Sequence, residues 1–203
     1  NQQRVTVVTA TKGEAGVTST HNLPPDQLGA VRTQELHDCL RVLGVTEHVV
    51  LDCLDGECAS EDPDHMAEQV AKIIMIEQPD TILTFGPEGL TGHADHRAVS
   101  EWTRRAIRLI PAAPVVYHAA FSHDWYQAGG QQLDAQANLF YAIDQPPLVD
   151  REELAIDLEL SEDIQAIKRR ALEAHASQST ALFEQINTLG LPAALATESF
   201  VLV

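Results

Sequence analysis

Short β-branched runs alternate with helical patterns along this chain, and that alternation limits the fold more than any other feature. The runs are RVTVVTA (4–10), HVVLDCL (48–54), DTILTFG (80–86) and PVVYHAA (114–120), with a weaker fifth, LAIDLEL, at 154–160. Between the first two, Leu28, Val31, Leu36, Cys39, Leu40 and Leu43 share one face of a predicted helix over 26–43, closed by Gly44. A second helix is predicted over 64–78, where Met66, Val70, Ile73, Ile74 and Glu77 give an apolar stripe with a polar edge and Pro79 ends it. A third carries Val99, Trp102, Ala106, Ile107 and Ile110 on one face and stops before Pro111. A fourth runs from Ser161 towards Leu182, with Ser161 and Asp163 as cap and first-turn residues. Strand followed by helix, repeated, predicts an α/β fold: a mostly parallel sheet with right-handed crossovers and helices on both faces. The stretch 121–150 fits neither period and reads as a long surface excursion.

A chain of 203 residues, 44% hydrophobic and 21% charged, has the size and composition for one core, so a single domain over 1–203 is expected. Acidic residues outnumber basic ones 30 to 13, and the net charge of -17 leaves no basic stripe to neutralise a phosphate backbone. Nucleic acid and anionic membrane are therefore not expected as partners, and no apolar run approaches the roughly 18 residues that cross a bilayer. Cys39, Cys53 and Cys58 form no Cys-x-x-Cys pair, which argues against a disulfide framework or zinc ribbon and for a reducing, cytoplasmic compartment. Residue 1 is Asn, and strand-like sequence starts almost at once at Val5, so further residues are expected upstream, a signal peptide among the possibilities.

In a parallel α/β sheet the strand-to-helix loops all open at the carboxyl edge, where ligands bind. Three loops fall there: TKGEAG (11–16), DGEC (55–58) and GPEGLTGHADH (86–96). Glu14, Asp55, His93, Asp95 and His96 are thereby expected on one rim. Their glycines permit tight turns, but neither Gly-x-Gly-x-x-Gly nor Gly-x-x-x-x-Gly-Lys-Ser/Thr occurs, which argues against a nucleotide. His93 and His96, three apart at a helix start, can point two imidazoles at one place, and imidazole is a favoured zinc ligand, although a catalytic zinc takes three protein ligands. Plainer roles stand beside these. Glu14 and Asp55 suit loop backbone donors, Arg32 a surface ion pair and Asp95 a helix N-cap. His118 and His123 fit buried polar or loop positions, and His175 fits helix packing.

On these residues the chain resembles the LmbE-like, or PIG-L, family of zinc-dependent N-acetylglucosamine deacetylases. VTVVTATKGEAG is similar to the family's second strand and Thr-x-Gly-Glu-x-Gly loop, GAVRTQELHDCLRVLGV to its Arg-x-x-Glu-Leu helix, and LDCLDG to its strand ending in Asp-Gly. TFGPEGLTGHADHRAVS is similar to the Gly-His-Pro-Asp-His-x-x-Val segment, with Ala94 in place of proline, and KRRALEAHASQS to the late Lys-x-x-Ala-Leu-x-x-His-x-Ser-Gln helix.

The resemblance implies a Rossmann-like fold and a zinc (Zn2+) amidohydrolase acting on a small amino-sugar substrate. It implies His96 as a metal ligand, His93 as the acid or oxyanion partner and Asp95 as its orienting neighbour. It further implies Glu14, Arg32 and Asp55 as substrate contacts, with Ser177 and Gln178 as lesser candidates. The family's His-Pro-Asp-Asp motif, which supplies two zinc ligands and the general base, is absent here and is expected upstream of Asn1. Two alternatives stay open: a relative that kept the fold as a carbohydrate-binding or scaffold protein, and a zinc amidase acting on a thiol-sugar conjugate. The acyl group and the oligomeric state leave no mark in the sequence.

Overall fold

The computed structural model describes residues 3–16, 23–189 and 196–203. In chain order the elements are β1 (Thr6–Thr9), α1 (Pro25–Leu43), β2 (Glu47–Val50), α2 (Pro63–Glu77), β3 (Thr81–Phe85), α3 (Gly89–Gly92) and α4 (Ala94–Leu109). There follow β4 (Val115–Ala119), β5 (Phe121–Ser122), α5 (His123–Trp125), α6 (Gln131–Ala137), β6 (Leu148–Val149), β7 (Ile156–Glu159), α7 (Glu162–Glu173), α8 (Ala176–Leu189) and β8 (Thr197–Leu202). They fall into two compact units, residues 1–56 with 160–196 and residues 57–159 with 197–203.

In the first unit β1 and β2 pair in parallel, Thr6 opposite Glu47 and Thr9 opposite Val50. The ladder continues past both strands through Leu51 N–H to the Thr9 carbonyl at 2.9 Å and Cys53 N–H to Ala10 at 3.0 Å. Parallel neighbours need a crossover, and α1 supplies it. This helix begins with Pro25, which lacks the N–H that a first turn leaves unpaired anyway. It ends at Gly44 in the left-handed region (φ 72), whose N–H bonds to Arg41 while Val45 N–H reaches back to Leu40 at 2.9 Å. Of the predicted face, Leu28, Cys39 and Leu40 are buried, while Val31 and Leu43 are exposed. The helix predicted from Ser161 is two helices, α7 and α8, and α7 packs against α1.

In the second unit Asp62 caps α2, its Oδ1 accepting from Asp64 N–H at 2.9 Å and His65 N–H at 3.2 Å. Ala67, Ala71 and Ile74 of α2 meet Ala106 of α4 in a core that Val70, Ile82 and Ile110 extend, and Trp102 is buried at 1% exposure. Small side chains here let α2 and α4 approach closely.

The sheet of this unit runs in the order β3-β4-β8-β7. β3 and β4 are parallel, as expected, but β8 is antiparallel to β4, and β7 is antiparallel to β8. The expectation of one mostly parallel sheet is thus corrected: the α/β class holds, while the described strands form small sheets of mixed direction. The cause is β8, the TESFVL segment near the carboxyl end, which enters between β4 and β7 and reverses direction there.

The excursion 121–150 has structure of its own. β5 and β6 pair in parallel, and Phe140, buried, meets Phe121 and Tyr126 edge-on at 5.8 and 6.3 Å. No described helix is long and apolar enough to cross a membrane.

Candidate active site

The carboxyl end of β3 leads through Gly86 into the single turn α3 and then into α4, and this strand-loop-helix passage places His93 and His96. Gly89 has φ 75, and a Cβ there would sit 3.0 to 3.2 Å from Arg97 and His96, so the turn needs glycine. Leu90 takes φ 62 with a full side chain, a conformation that is strained for a non-glycine residue. The N-cap of α4 is His93, whose Nδ1 accepts the backbone N–H of Asp95 at 3.2 Å. The cap role that suited Asp95 in the sequence thus falls two residues earlier. The Asp95 carboxylate is buried and accepts from the Cys58 N–H at 3.1 Å, tying the start of α4 to the turn before α2.

The two imidazoles lie 5.1 Å apart between centroids. The ring of His96 stacks on Phe85 at 4.0 Å, within 1° of coplanar, and its Nδ1 donates to the Gly89 carbonyl at 3.0 Å. A carbonyl only accepts, so the Nδ1 of neutral His96 carries the proton and Nε2 keeps its lone pair. Burial lowers the His96 pKa below the ordinary histidine value; the bond to Gly89 opposes this, His93 adds to it and Asp95 opposes it. His93 is fixed in the opposite sense: its Nδ1 accepts, so the proton of the neutral ring sits on Nε2. Among the described residues neither Nε2 has a hydrogen-bond partner. Backbone contacts have therefore given two adjacent rings complementary tautomers, one ready to ligate and one ready to donate.

The first unit brings together Glu14, Arg32 and Asp55. Glu14 accepts the Asp55 N–H through Oε1 at 3.0 Å, and Asp55 accepts from the Thr11 hydroxyl at 3.3 Å and the Ala15 N–H at 3.1 Å. Arg32 is buried rather than at the surface: Nη1 donates to the Gly13 carbonyl, and any Cβ at Gly16 would collide with its guanidinium. Gly13 itself has φ 73. Among the described residues Glu14 Oε2 and Arg32 Nε are buried and have no hydrogen-bond partner. On α8, Ser177 gives both its N–H and its hydroxyl to the Glu35 carboxylate, each at 2.7 Å. His175, just before α8, has its pKa lowered by burial, with Glu35 opposing and Arg32 reinforcing. In the second unit His118 lies opposite Thr84 on β4, its pKa also lowered by burial and opposed by Glu88, and His123 lies 3.9 Å from Asp150 at the surface.

Zinc can be tested against these groups. His96 has the form a ligand needs: neutral, held by the ring nitrogen that does not bind metal, and offering Nε2. It fits as one ligand. Among the described residues no group of three or more His, Cys, Asp and Glu side chains could hold a metal ion, so these residues do not complete a site.

Sequence reasoning missed Phe85, the Gly89 carbonyl and the Cys58 amide. The position of Phe85 at the end of a strand was legible, but its coplanar stack was not. A carbonyl or an amide leaves no letter in the sequence.

An imidazole pair of this kind at a strand-to-helix passage of an α/β fold is a candidate hydrolytic centre, and the comparisons identify the family. Residues 1–107 match the GlcNAc-PI de-N-acetylase family, PIG-L. The chain is 30% identical over 206 residues to the 1D-myo-inositol 2-acetamido-2-deoxy-alpha-D-glucopyranoside deacetylase of Actinosynnema mirum, with 87% of this chain and 71% of that protein covered. It is similar in fold to the zinc-inhibited form of teicoplanin deacetylase, with a TM-score of 0.65, 16% identity and coverage of 98% of this chain and 86% of that one. It is also similar to the 4-carboxy-2-hydroxymuconate hydratase GalB of Pseudomonas putida, with a TM-score of 0.64, 14% identity and coverage of 98% and 84%. At such identities the two structures speak for the fold alone. The chain belongs to the GlcNAc-PI de-N-acetylase family, whose name gives the reaction class: removal of an N-acetyl group from an N-acetylglucosamine conjugate.

Proposed function

We propose that this protein hydrolyses the N-acetyl amide of an N-acetylglucosamine conjugate of the inositol-linked class that its relative deacetylates. The observation that carries the reading is the complementary pair of imidazoles, His96 offering an Nε2 lone pair and His93 an Nε2–H, with centroids 5.1 Å apart. Amide hydrolysis uses both: electrophilic activation of the carbonyl, and a hydrogen-bond donor for the oxyanion that forms from it. His96 is assigned as one zinc ligand, with the remaining ligands outside the described residues. Bound zinc supplies Lewis acidity and an acidified water.

The residues present do the rest. The stack on Phe85 and the bond to Gly89 hold the His96 ring in one orientation. The cap bond to Asp95 N–H holds His93 so that Nε2 donates to the acetyl oxygen as negative charge grows there. The oxygen of water bonds to the acetyl carbon, and as the C–N bond breaks the amine nitrogen takes up the proton that this water gives up, so that acetate and the free amine leave. Asp95 is a positioning residue, because its buried carboxylate fixes the turn that starts α4. Glu14, Arg32 and Asp55 are assigned to the sugar hydroxyls. The assignment is supported by their gathering at one loop, where Glu14 accepts the Asp55 N–H and Arg32 donates to the Gly13 carbonyl.

The test is acetate release by the intact, zinc-loaded protein from N-acetylglucosaminyl-inositol, N-acetylglucosamine and a thiol-bearing N-acetylglucosaminyl-inositol conjugate. Release of one acetate and one amine per turnover, fastest on the first, supports the reading. Preference for the thiol conjugate moves the substrate. Binding without release from any of them leaves a carbohydrate-binding relative and overturns the enzyme.

A further inference from the structure

Tyr141 is 61% exposed, and its ring lies 6.2 Å from that of His93 at 77° between planes. An exposed tyrosine by itself means little. What distinguishes this one is how firmly the flanking chain is held.

On one side Asn138, in the left-handed region at φ 50, ends α6. The next residue but one, Phe140, gives its N–H to the Asp134 carboxylate at 3.1 Å while its ring is buried against Phe121 and Tyr126. On the other, Ile143 N–H closes a turn onto the Phe140 carbonyl at 3.1 Å. Ala142 and Ile143 then lie so close to Gly92 that an added Cβ would come within 2.8 Å of both. Gly92 is the residue immediately before His93. The turn is thus fixed to an aromatic cluster at one end and to the start of α4 at the other, and it holds an exposed aromatic ring beside the proposed oxyanion donor.

We infer that Tyr141 is a substrate platform whose ring takes the C–H face of the pyranose that bears the scissile N-acetyl group. This rests on the deacetylase reading and adds the surface that orients the sugar. A tyrosine ring matches a ligand with an apolar face and a hydroxyl edge, and two side-chain torsions are all that must be ordered.

The experiment compares wild type, Tyr141→Ala and Tyr141→Phe in the intact protein, by calorimetric titration with N-acetylglucosaminyl-inositol and by steady-state kinetics, with thermal melting as the folding control. Tyr141→Ala is expected to raise Kd and KM about tenfold with kcat within about twofold, and Tyr141→Phe to stay within about twofold of wild type in all three. Wild-type Kd in Tyr141→Ala overturns the platform. So does an equal loss in Tyr141→Phe, which would transfer the role to the hydroxyl. If wild type neither binds nor deacetylates the sugar, the deacetylase reading fails and the platform with it; if wild type is active and only the Tyr141 variants are indistinguishable from it, the platform alone fails.

Discussion

The two polar clusters differ in what their atoms are already doing. In the first unit Glu14 and Asp55 accept from loop N–H and hydroxyl groups, and Arg32 is buried beneath the glycine loop. These side chains shape the segment after β1. In the second unit each imidazole uses one nitrogen on the backbone and keeps the other. Carboxylates that satisfy backbone donors build a binding surface by holding it still. Histidines anchored through one nitrogen are prepared for chemistry at the other. In the proposed mechanism the difference separates residues that fix shape from residues that react.

Replacing His96 with Ala should have the largest effect. We expect loss of bound zinc and a fall in kcat/KM of more than about 10³-fold, because the proposed metal ligand is gone; elemental analysis and acetate release check it. Stoichiometric zinc with retained activity would erase the contrast between the two clusters.

A pair of glycine substitutions sharpens it further. Gly92→Ala puts a methyl group 2.8 Å from Ala142 backbone and Ile143 at a residue with φ 84, and it should cost about 1–3 kcal/mol in denaturant unfolding. Gly56→Ala has the same φ of 84 but meets nothing within 4 Å, so only the backbone strain applies, about 1 kcal/mol. Equal costs would mean that the contact of the 138–146 turn with Gly92 is not tight.

The smallest effect is expected for Asp55→Ala. It frees the Thr11 hydroxyl and the Ala15 N–H, at about 1 kcal/mol of stability, and should raise KM while kcat stays within a few-fold. A collapse of kcat would move Asp55 into the reacting group and end the division of labour.

Much of this was legible in the sequence, for reasons that vary with the element. α1 and α2 were readable because Gly44 and Pro79 end strong apolar stripes, and β1 to β4 because β-branched runs stand between them. His93 and His96 were visible as letters with meaningful spacing, and Arg32, Glu14 and Asp55 as polar residues beside glycines. The antiparallel β8 was hidden, because strand direction is set by what the chain meets across the sheet. The break between α7 and α8 was hidden too, since Ala174 and His175 carry no stop signal and the Glu35 bond to Ser177 spans 142 residues. The tautomers of the two histidines depend on a carbonyl at Gly89 and an amide at Asp95, groups that every residue has. Tyr141 lay in a stretch without periodicity, and its place beside His93 follows from the turn packed on Gly92.

The central claim is that His93 donates through Nε2 while its Nδ1 caps α4, and His93→Asn separates the two roles. Asparagine is among the best N-caps, so its side-chain oxygen keeps the bond to Asp95 N–H while the imidazole is removed. Measured with zinc-loaded protein on N-acetylglucosaminyl-inositol, His93→Asn should lower kcat by roughly 10²–10⁴-fold, with KM and the melting temperature close to wild type. A variant that keeps wild-type kcat would show that His93 is only a helix cap.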